Sequence, residues 1–495
     1  MSKSNPIIKN FKNIIKIINN LLEQNLNKLK FKNLLNLARN NKIVLSFATI
    51  LILFLSYLLL PTLYKQNEIS KKLNLDLSEK HNLTFNSSQK INYNFFPTPN
   101  FTIKDSTILF NKQEISKVRK FKVYFSLKNL FSLNNINLKN LLIEDANFNL
   151  NTKNYNFFLD LLQNNFTDNQ IQIKNSNVFF RNLQNEVLFI NKILDMKYYL
   201  DLKELKNTII SKNEIFNFPY ELKLNKDVEK KKITSTLNFN FLNLKIQNEF
   251  NYFNQLKEGK ADIVFNKSKS NIFYKTNSNF LEFILSDKKE NPNYSYTGKI
   301  NLNPFYSSFI GETEKLNLSY LLNLNSFIPQ VLKTEILNNE NIDFKLNIKA
   351  KNILDVNLIN LNLNSKINGG LIDIDQTKYQ WKDFANFKLT DSLIYVKDGQ
   401  LTLDARVHID INKIDEIYKY LLTPKNYRKN IKNIVLNISY NFDQNIAILR
   451  DIKLDNKYYQ KINNIMTSII LKGNKFQNKI YLKNILNKAI RSYSG

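Results

Sequence analysis

The sequence predicts a mainly β protein, in which one N-terminal transmembrane helix precedes a long, curled antiparallel β-sheet with a few short helices. Three observations lead to this prediction. An uncharged stretch lies between Lys42 and Lys65, apolar and polar residues alternate along most of the chain beyond it, and tight-turn sequences join several alternating runs. Apolar residues make up 43% of the 495 residues and aromatic residues 13%, so the composition is that of a folded protein.

The uncharged stretch is 22 residues long and is sufficient for a membrane-spanning helix. At 1.5 Å per residue it reaches roughly 33 Å, against a hydrocarbon core of about 30 Å. It is too long for a cleaved signal peptide, and its exit through Leu60 and Pro61 lacks the small residues of a cleavage site. Residues 43–63 are therefore predicted to be a transmembrane signal anchor, with these membrane contacts: Ile43, Leu51, Leu53, Leu55, Leu58 and Leu60.

The residues before the anchor predict its orientation. Residues 1–42 carry nine Lys or Arg and one acid, Glu23, so the positive-inside rule places them in the cytoplasm and residues 65–495 on the far side. The predicted location is a bacterial inner membrane, with the bulk of the chain in the periplasm. Two interpretations of this arm stay open. The helix-like spacing of Ile7, Phe11 and Ile14 fits a basic amphipathic helix on the membrane, and the alternative is a partly disordered arm that only sets topology.

Period-two alternation dominates beyond residue 65 and indicates strands with one buried face. The longest example runs from Leu401 to Ile411, and clear cases also occur around residues 91–95, 121–125 and 434–440. Tight hairpin turns are predicted at Asp398-Gly399 and Asn368-Gly369-Gly370, so neighbouring strands are expected to be antiparallel. Short helical patterns lie near residues 155–162, 411–422 and 481–490.

The expected sheet is large. About twenty strands at roughly 4.8 Å spacing give a sheet on the order of 100 Å long. An open sheet of that size would leave a whole apolar face in water. It must therefore curl on itself, pair with a second sheet or hold an apolar ligand, and these alternatives stay open at this point.

The charge balance does not predict a nucleic-acid partner. The net charge is +29, but only seven of the 71 basic residues are Arg, while Asn, Lys and Ile are abundant and Gly and Ala are scarce. This pattern is typical of an AT-rich coding sequence, in which Lys replaces Arg without selection for phosphate binding. The planar guanidinium fork that grips phosphates or reads bases is mostly absent. The basic excess is interpreted as a solvated surface with some affinity for anionic lipid.

No motif predicts an enzyme, a cofactor or a metal site. The chain has no Cys, no phosphate-cradling Gly-rich loop, and only two histidines, His81 and His408, which are far apart in sequence. Asp373 and Asp375 form a D-x-D sequence that could suggest a metal-dependent transferase. They alternate with Ile372 and Ile374, however, as residues on the solvated face of a strand do.

A strand, a P-x-P turn and a second strand follow the predicted anchor between residues 90 and 105. A Leu-rich run follows at residues 126–138, and residues 143–158 fit a closing strand and a helix. This order resembles the N-terminal module of the AsmA family of envelope proteins over about residues 70–165, although Asn134 or Asn135 stands where the family commonly has Gly. Residues 166–495 are similar only in style. The matching motif residues are Phe96, Pro97, Pro99, Phe101 and Ile103.

The resemblance implies a sheet rolled into an open, taco-like groove with an apolar interior, anchored in the inner membrane and reaching into the periplasm. Family members are associated with outer-membrane biogenesis, and related bridge-like proteins carry phospholipid along the groove. The expected organisation is a cytoplasmic arm (1–42), the anchor (43–63), an AsmA-like module (70–165) and a groove continuation with AsmA-like C-terminal strands (166–495). Candidate groove-lining residues are Ile91, Tyr93, Phe95, Leu401, Leu403, Val407 and Ile409.

The expected function is non-enzymatic: the domain binds or conducts phospholipid, with a partner protein at the outer membrane. The alternative is an envelope scaffold with a closed β core that organises other membrane proteins. An envelope hydrolase or glycosyltransferase is the third hypothesis, and it depends on Asp373 and Asp375.

Overall fold

A computed structural model of the chain describes residues 42–493 with internal gaps. The predicted N-terminal arm, except Lys42, and Pro97 of the P-x-P turn lie outside the described residues. The complete set outside is 1–41, 88–89, 97, 129, 152, 156, 164–169, 183, 202, 205, 228–230, 252–256, 266–267, 278, 287–292, 303–304, 318–326, 334–342, 355–356, 468–470, 473–478 and 494–495.

The described residues form 26 strands, all in one sheet. The first thirteen are β1 (Leu83–Ser87), β2 (Asn92–Asn94), β3 (Asn100–Phe110), β4 (Gln113–Phe125), β5 (Leu138–Leu150), β6 (Gln170–Arg181), β7 (Val187–Asp201), β8 (Lys206–Ile215), β9 (Phe218–Asp227), β10 (Lys232–Phe239), β11 (Leu244–Asn251), β12 (Lys257–Phe265) and β13 (Ser268–Thr276). The others are β14 (Phe280–Ser286), β15 (Tyr294–Leu302), β16 (Phe305–Leu316), β17 (Phe344–Ile353), β18 (Leu358–Asn368), β19 (Leu371–Asp373), β20 (Lys378–Trp381), β21 (Ala385–Lys397), β22 (Gln400–Ile411), β23 (Asn433–Asn441), β24 (Ile446–Leu454), β25 (Lys457–Tyr458) and β26 (Leu471–Lys472). The prediction of a mainly β chain with one large sheet is confirmed.

The helices are short and few in the described residues, apart from two near the N-terminus. They are α1 (Lys42–Leu59), α2 (Gln66–His81), α3 (Phe157–Gln163), α4 (Phe327–Leu332), α5 (Ile414–Leu421), α6 (Gln460–Thr467) and α7 (Lys479–Arg491). Short 3-10 turns occur at Leu60–Leu63, Leu133–Asn135, Asn240–Leu242 and Lys425–Tyr427. Helices α3, α5 and α7 coincide with the three helical patterns predicted from the sequence.

The sheet is a long meander, because each strand from β3 onward pairs with its successor over most of the sheet. At one edge β3 pairs with both β1 and β2, and at the other β24 pairs with β25 and β26. The expectation of antiparallel neighbours is wrong at two steps, since β5–β6 and β16–β17 are parallel. A parallel step needs a connection that returns across the sheet, and the two connections contain α3 and α4.

Both predicted hairpin turns are confirmed. Asp398 and Gly399 join β21 to β22 with φ values of 50° and 72°, and Gly369 and Gly370 join β18 to β19 with 56° and 78°. Positive φ at both central residues twists a two-residue turn in the sense that matches the twist of the strands. These turns set the register of the C-terminal strands.

Helix α2 is not among the predicted helices, because the sequence beyond residue 65 is dominated by period-two alternation. Leu73, Leu75 and Leu77 alternate in sequence as strand residues do. The structure instead buries Ile69, Leu73 and Leu77, which are four residues apart and lie on one helix face, whereas Leu75 is 51% exposed. Burial of three apolar side chains against the first strands selects the helix over the strand.

The N-terminal part of the sheet has a closed core. Helix α2 packs on it through Ile69, Leu73 and Leu77, and α3 contributes Phe157 and Leu161, each no more than 2% exposed. The ring of Phe148, on β5, lies 5.9 Å from that of Phe157. The same cluster extends through β9, where Leu224 is its last buried member.

Amide side chains cap both edges of the sheet. In α2, the Asn74 side chain accepts a hydrogen bond from the Phe85 N–H at 2.7 Å and donates to the Phe85 carbonyl at 3.1 Å. At the other edge, Asn463 of α6 makes the same pair of bonds with Ile452 of β24, both at 2.8 Å. A free strand edge is a template for pairing with another chain, so these amides protect the sheet against edge-to-edge association.

Acidification is expected to destabilise the packing of α2 through His81. This side chain is 1% exposed at the end of the helix, and burial, assisted by the Lys80 charge, lowers its pKa to about 4. The unfolded chain takes up the proton near pH 6.5, so stability is present above that pH and falls by about 3 kcal/mol in total as the pH drops towards 4. Melting temperatures at pH 7 and pH 5 should differ less in His81→Leu than in the parent chain. An equal difference in both would refute the assignment.

Candidate functional site

The sheet has two chemically different faces, and the cross-strand registers assign each strand residue to one of them. We define the inner face as the one that carries the core residues Ile209 and Leu224. One row of directly paired residues follows this face from β8 to β18: Ile209, Leu224, Ser235, Asn248, Ala261, Ile272, Leu285, Tyr296, Gly311, Ile348 and Leu363. The inner face is therefore continuous from the N-terminal core to the C-terminal strands.

The two parallel-step connections cover the two ends of the inner face. The first places Phe157 and Leu161 of α3 in the same cluster as Ile209 and Leu224. The second places Leu332, at the end of α4, against a cluster that includes Val407. The adjacent Lys333 ion-pairs with Asp443, which lies in the turn after β23. Each connection thus lies across strands that follow it in sequence.

Between these two covers lies an uncovered apolar surface, which we call the open face and define as the inner-face positions of β11–β16. In the described part of the chain, none of the apolar clusters that include helix residues contains a residue of this surface, and most of its side chains are half-buried rather than buried. Among the described positions of the open face, the charged residues are Lys257, at the start of β12, and Lys315, near the end of β16. The large apolar members are Leu244, Ile246, Phe250, Ile263, Phe265, Ile272, Leu281, Phe283, Leu285, Ile300, Phe305 and Phe309.

Glycines opposite aromatic rings shape this surface. Gly298 pairs with Phe283, and a Cβ on Gly298 would lie only 2.1 Å from the Phe283 ring, so the ring lies across the glycine. Tyr274 lies across Gly259 and Tyr296 across Gly311 in the same way. Rings that lie flat over glycine give the sheet an even, low apolar floor rather than a set of projecting side chains.

The few polar groups on the open face bond to one another. The Tyr274 hydroxyl donates to Asn248 Oδ1 at 2.8 Å, and the Ser270 and Tyr294 hydroxyls lie 3.1 Å apart. Burial raises the pKa of both Tyr274 and Tyr296, so their phenols are neutral at physiological pH. The face therefore offers apolar contact without fixed charge over most of its width.

The opposite, outer face is charged. Cross-strand ion pairs join Lys275 to Glu258 at 2.7 Å and Lys299 to Glu282 at 2.9 Å. Exposed pairs of this kind add little stability, because water and salt screen them. Their effect is to keep this face solvated, so the two faces of β11–β16 present opposite chemistry.

One apolar patch interrupts the outer face. Phe273, Ile284 and Ile310 are 48%, 52% and 50% exposed and lie in one cross-strand row. They border an open cavity of about 520 Å³, which Glu258, Lys275 and the ion-paired residues beside them also line.

The C-terminal groove candidates share one face, as the sequence indicates, but part of it is covered. Leu401 and Val407 are 1% and 8% exposed, and Leu403 and Ile409 are half-buried. Val407, Leu403 and Ile409 belong to the cluster against which Leu332 packs. These residues contribute to a covered core in the part of the chain that the structure describes.

The N-terminal groove candidates lie in or beside the closed core. Ile91 is 6% exposed. Its N–H donates a hydrogen bond to Gln66 Oε1 at 2.8 Å, and Gln66 Nε2 donates to its carbonyl at 3.0 Å. The Tyr93 hydroxyl donates to the Leu58 carbonyl at 2.6 Å, and burial raises its pKa to about 12. Strand β2 ends before Phe95, which is 45% exposed.

The motif residues of the P-x-P region also divide into two groups. Phe101 and Ile103, on β3, are 0% exposed, and Phe101 packs 4.9 Å from the ring of Phe125. Phe96 is 67% exposed, and Pro99 precedes β3, its carbonyl accepting a hydrogen bond from the Phe125 N–H at 3.3 Å. The motif therefore joins the core to an exposed loop.

In the described residues, one helical segment, Ser46–Leu63, is long and apolar enough to cross a membrane. Of the predicted membrane contacts, Ile43, Leu51, Leu53 and Leu55 are between 42% and 84% exposed. Leu58 is 9% exposed and Leu60 is partly buried, because both pack on the N-terminal core. The end of the helix thus belongs to the folded domain.

The D-x-D carboxylates bond to backbone groups. Asp375 Oδ1 accepts from the Ser392 N–H at 2.6 Å, and Asp373 Oδ1 accepts from the Asp375 N–H at 2.7 Å. His408 Nε2 lies 2.8 Å from the Thr390 hydroxyl, and Trp381 packs edge-on against Phe384 and Tyr420. Within the described chain, no group of three or more His, Asp or Glu side chains could hold a metal ion.

Sequence reasoning did not single out the open face. The signal was present in the alternation of Tyr294, Tyr296, Gly298, Ile300 and Leu302, but glycines within a strand weakened it. No protein-family model matches the chain, and a search of curated proteins found no match.

Proposed function

We propose that the protein is a single-pass inner-membrane protein whose periplasmic sheet binds, and passes along its inner face, the acyl chains of phospholipid. The observation that carries this proposal is the open face, an apolar and almost uncharged strip on β11–β16 that no described element covers. The organisation resembles that expected of the AsmA family, and a role in outer-membrane biogenesis with a partner at the outer membrane is part of the proposal.

The physical argument is one of burial. Six strands at about 4.8 Å spacing give a strip roughly 24 Å wide, which can contact most of an extended acyl chain. Each methylene group removed from water contributes about 0.8 kcal/mol. Binding along such a strip needs no catalytic group and no charged partner, because the head group stays in water at the rim.

Photo-crosslinking in cells tests this proposal with the full chain. A photoactivatable amino acid is placed at Leu285, on the open face, or at Ile284, the next residue of the same strand and 52% exposed on the outer face. Cells are labelled with ³²P-phosphate, irradiated, and the purified protein is assayed for attached phospholipid. We expect labelling at Leu285 and not at Ile284. Equal labelling of both, or of neither, would contradict lipid binding by the inner face.

The outer-face patch favours a second candidate function, that of a scaffold which organises other envelope proteins. Phe273, Ile284 and Ile310 are apolar, half-exposed and aligned in one cross-strand row, in which Thr297 lies between Ile284 and Ile310. Exposed apolar patches of this kind are common at protein interfaces. Under this alternative, crosslinks from Ile284 attach to protein and crosslinks from Leu285 attach to nothing. The same experiment therefore separates the two functions.

A further inference from the structure

Three tyrosine side chains fasten the end of α1 to the sheet. The Tyr57 hydroxyl donates to the Leu127 carbonyl at 2.7 Å and accepts from the Leu130 N–H at 3.1 Å. Tyr64 donates to the Leu130 carbonyl, and Tyr93 donates to the Leu58 carbonyl at 2.6 Å. The helix is therefore held by the loop after β4 and by β2, rather than tethered through a flexible linker.

Large apolar side chains are exposed where these segments meet. We call them the base patch: Leu63, Phe95, Phe96, Leu127 and Phe131, which are 78%, 45%, 67%, 42% and 79% exposed. They come from three separate segments, each within three residues of one of the fastening tyrosines or of its bonded partners. The Phe131 ring lies 5.0 Å from the Tyr57 ring, so the patch is continuous with the side of α1.

The position of the base patch along α1 matches the surface of a bilayer. About 20 helical residues cross the roughly 30 Å hydrocarbon core, so a helix that enters near Ile43 leaves near Leu63. Tyrosine and phenylalanine at that level lie at the boundary between head groups and acyl chains. Lys65 and Lys128 are exposed directly beside the patch, where cations meet lipid phosphates.

We propose that the base patch is a membrane-seating surface: these five side chains insert into the leaflet at which α1 leaves the bilayer and hold the first strands of the sheet against it. The inference rests on the proposed membrane anchor, and it adds that the domain is docked on the membrane in a fixed orientation. Its occupant is the lipid surface itself, because the patch is continuous with a membrane-spanning helix and flanked by lysines.

Depth-dependent fluorescence quenching tests the proposal with the full chain reconstituted in phosphatidylcholine–phosphatidylglycerol vesicles. Trp381 is the single tryptophan, so Trp381→Phe supplies a silent background for Phe131→Trp, Phe96→Trp, Phe241→Trp and Leu53→Trp. Phe241 is the matched control, since it is 64% exposed in the 3-10 turn after β10. Leu53 reports on the anchor itself.

We expect a phospholipid with its nitroxide near the head group to quench about half of the fluorescence of Phe131→Trp and Phe96→Trp and to leave Phe241→Trp unchanged. Quenching of Leu53→Trp by a phospholipid with its nitroxide deep in the acyl chain, without head-group quenching of Phe131→Trp, would overturn the seating surface and leave the anchor intact. No quenching of Leu53→Trp by the acyl-chain nitroxide would overturn the anchor and the seating together. A blue shift of Phe131→Trp without quenching would show that a second copy of the chain covers the patch, which also overturns the proposal.

Discussion

Phe101→Ala is expected to destabilise the N-terminal part of the sheet by about 3–5 kcal/mol, the usual cost of deleting a fully buried Phe side chain. Phe101 is 0% exposed and packs against Phe125 and Tyr93. Tyr93 also bonds the last turn of α1, so the cavity loosens the attachment of the anchor as well as the core. Native-state hydrogen exchange should show reduced protection in β3, β4 and β5.

The matched control is Phe309→Ala, on the open face. Phe309, on β16, is half-buried and contacts Tyr296 on the neighbouring strand β15 and, across Gly298, Phe283 on β14. Less of its surface leaves water on folding, so we expect a cost of about 1 kcal/mol, confined to β15, β16 and β17. Protection changes of equal size for the two variants would mean that the open face is a closed core, and that would count against the lipid proposal.

Local exchange is the appropriate readout, because a meander this long need not unfold in one step. Most strand contacts are between neighbours in sequence, and such arrays lose structure in segments rather than as a unit. The capping amides Asn74 and Asn463 lie at opposite edges of the sheet. Each end can therefore hold its own edge strands while the middle opens, and the proposed lipid binding requires such opening at the centre of the sheet.

The sequence predicts the architecture well where a single local rule applies. Asp398-Gly399 forms a tight hairpin turn because both residues tolerate positive φ, and the run from Leu401 to Ile411 is a strand because its alternation is unbroken. The uncharged stretch after Lys42 is helical and long enough to span a membrane. In each case the deciding interactions lie within a few residues of sequence.

Prediction from the sequence fails where contacts between residues far apart in sequence determine the local structure. The alternation of Leu73, Leu75 and Leu77 resembles a strand, and only burial of Ile69, Leu73 and Leu77 against the first strands shows that the segment is a helix. The parallel pairing of β16 with β17 also cannot be predicted from the local sequence. It depends on a connection in which Lys333 pairs with Asp443, 110 residues away.

Prediction of the candidate site from the sequence fails for a related reason. Leu401, Val407 and Ile91 carry the clearest apolar pattern, and the structure buries them in cores, because the strongest apolar runs are also the ones that neighbouring elements cover. The open face has a weaker pattern, interrupted by Gly259, Gly298 and Gly311. Periodicity identifies a buried face, but coverage of that face is a property of the three-dimensional path of the chain.

Leu285→Asp is expected to interrupt passage of phospholipid along the inner face, whereas Ile284→Asp leaves it unchanged. Leu285 lies at the centre of the open face, on β14, and Ile284 is its neighbour on the solvated face of the same strand. A carboxylate among acyl chains must remain hydrated or lose its charge, and either costs several kcal/mol. Because Leu285 is only half-buried, the substitution leaves most of the packing of the sheet intact.

Two reporter positions on the inner face distinguish a conduit from a local pocket. Ile263 lies on β12, on the anchor side of Leu285, and Leu346 lies on β17, beyond it. With lipid supplied from the membrane that holds α1, Leu285→Asp should reduce photo-crosslinking of ³²P-phospholipid at Leu346 by a factor of about ten or more and leave Ile263 labelled. A tenfold reduction corresponds to about 1.4 kcal/mol at the barrier. Equal loss at both positions would identify a single binding pocket centred on β14. Unchanged labelling at Leu346 would show that lipid does not travel along the inner face. A charge at Leu285 would then have no effect on the amount of phospholipid that reaches Leu346.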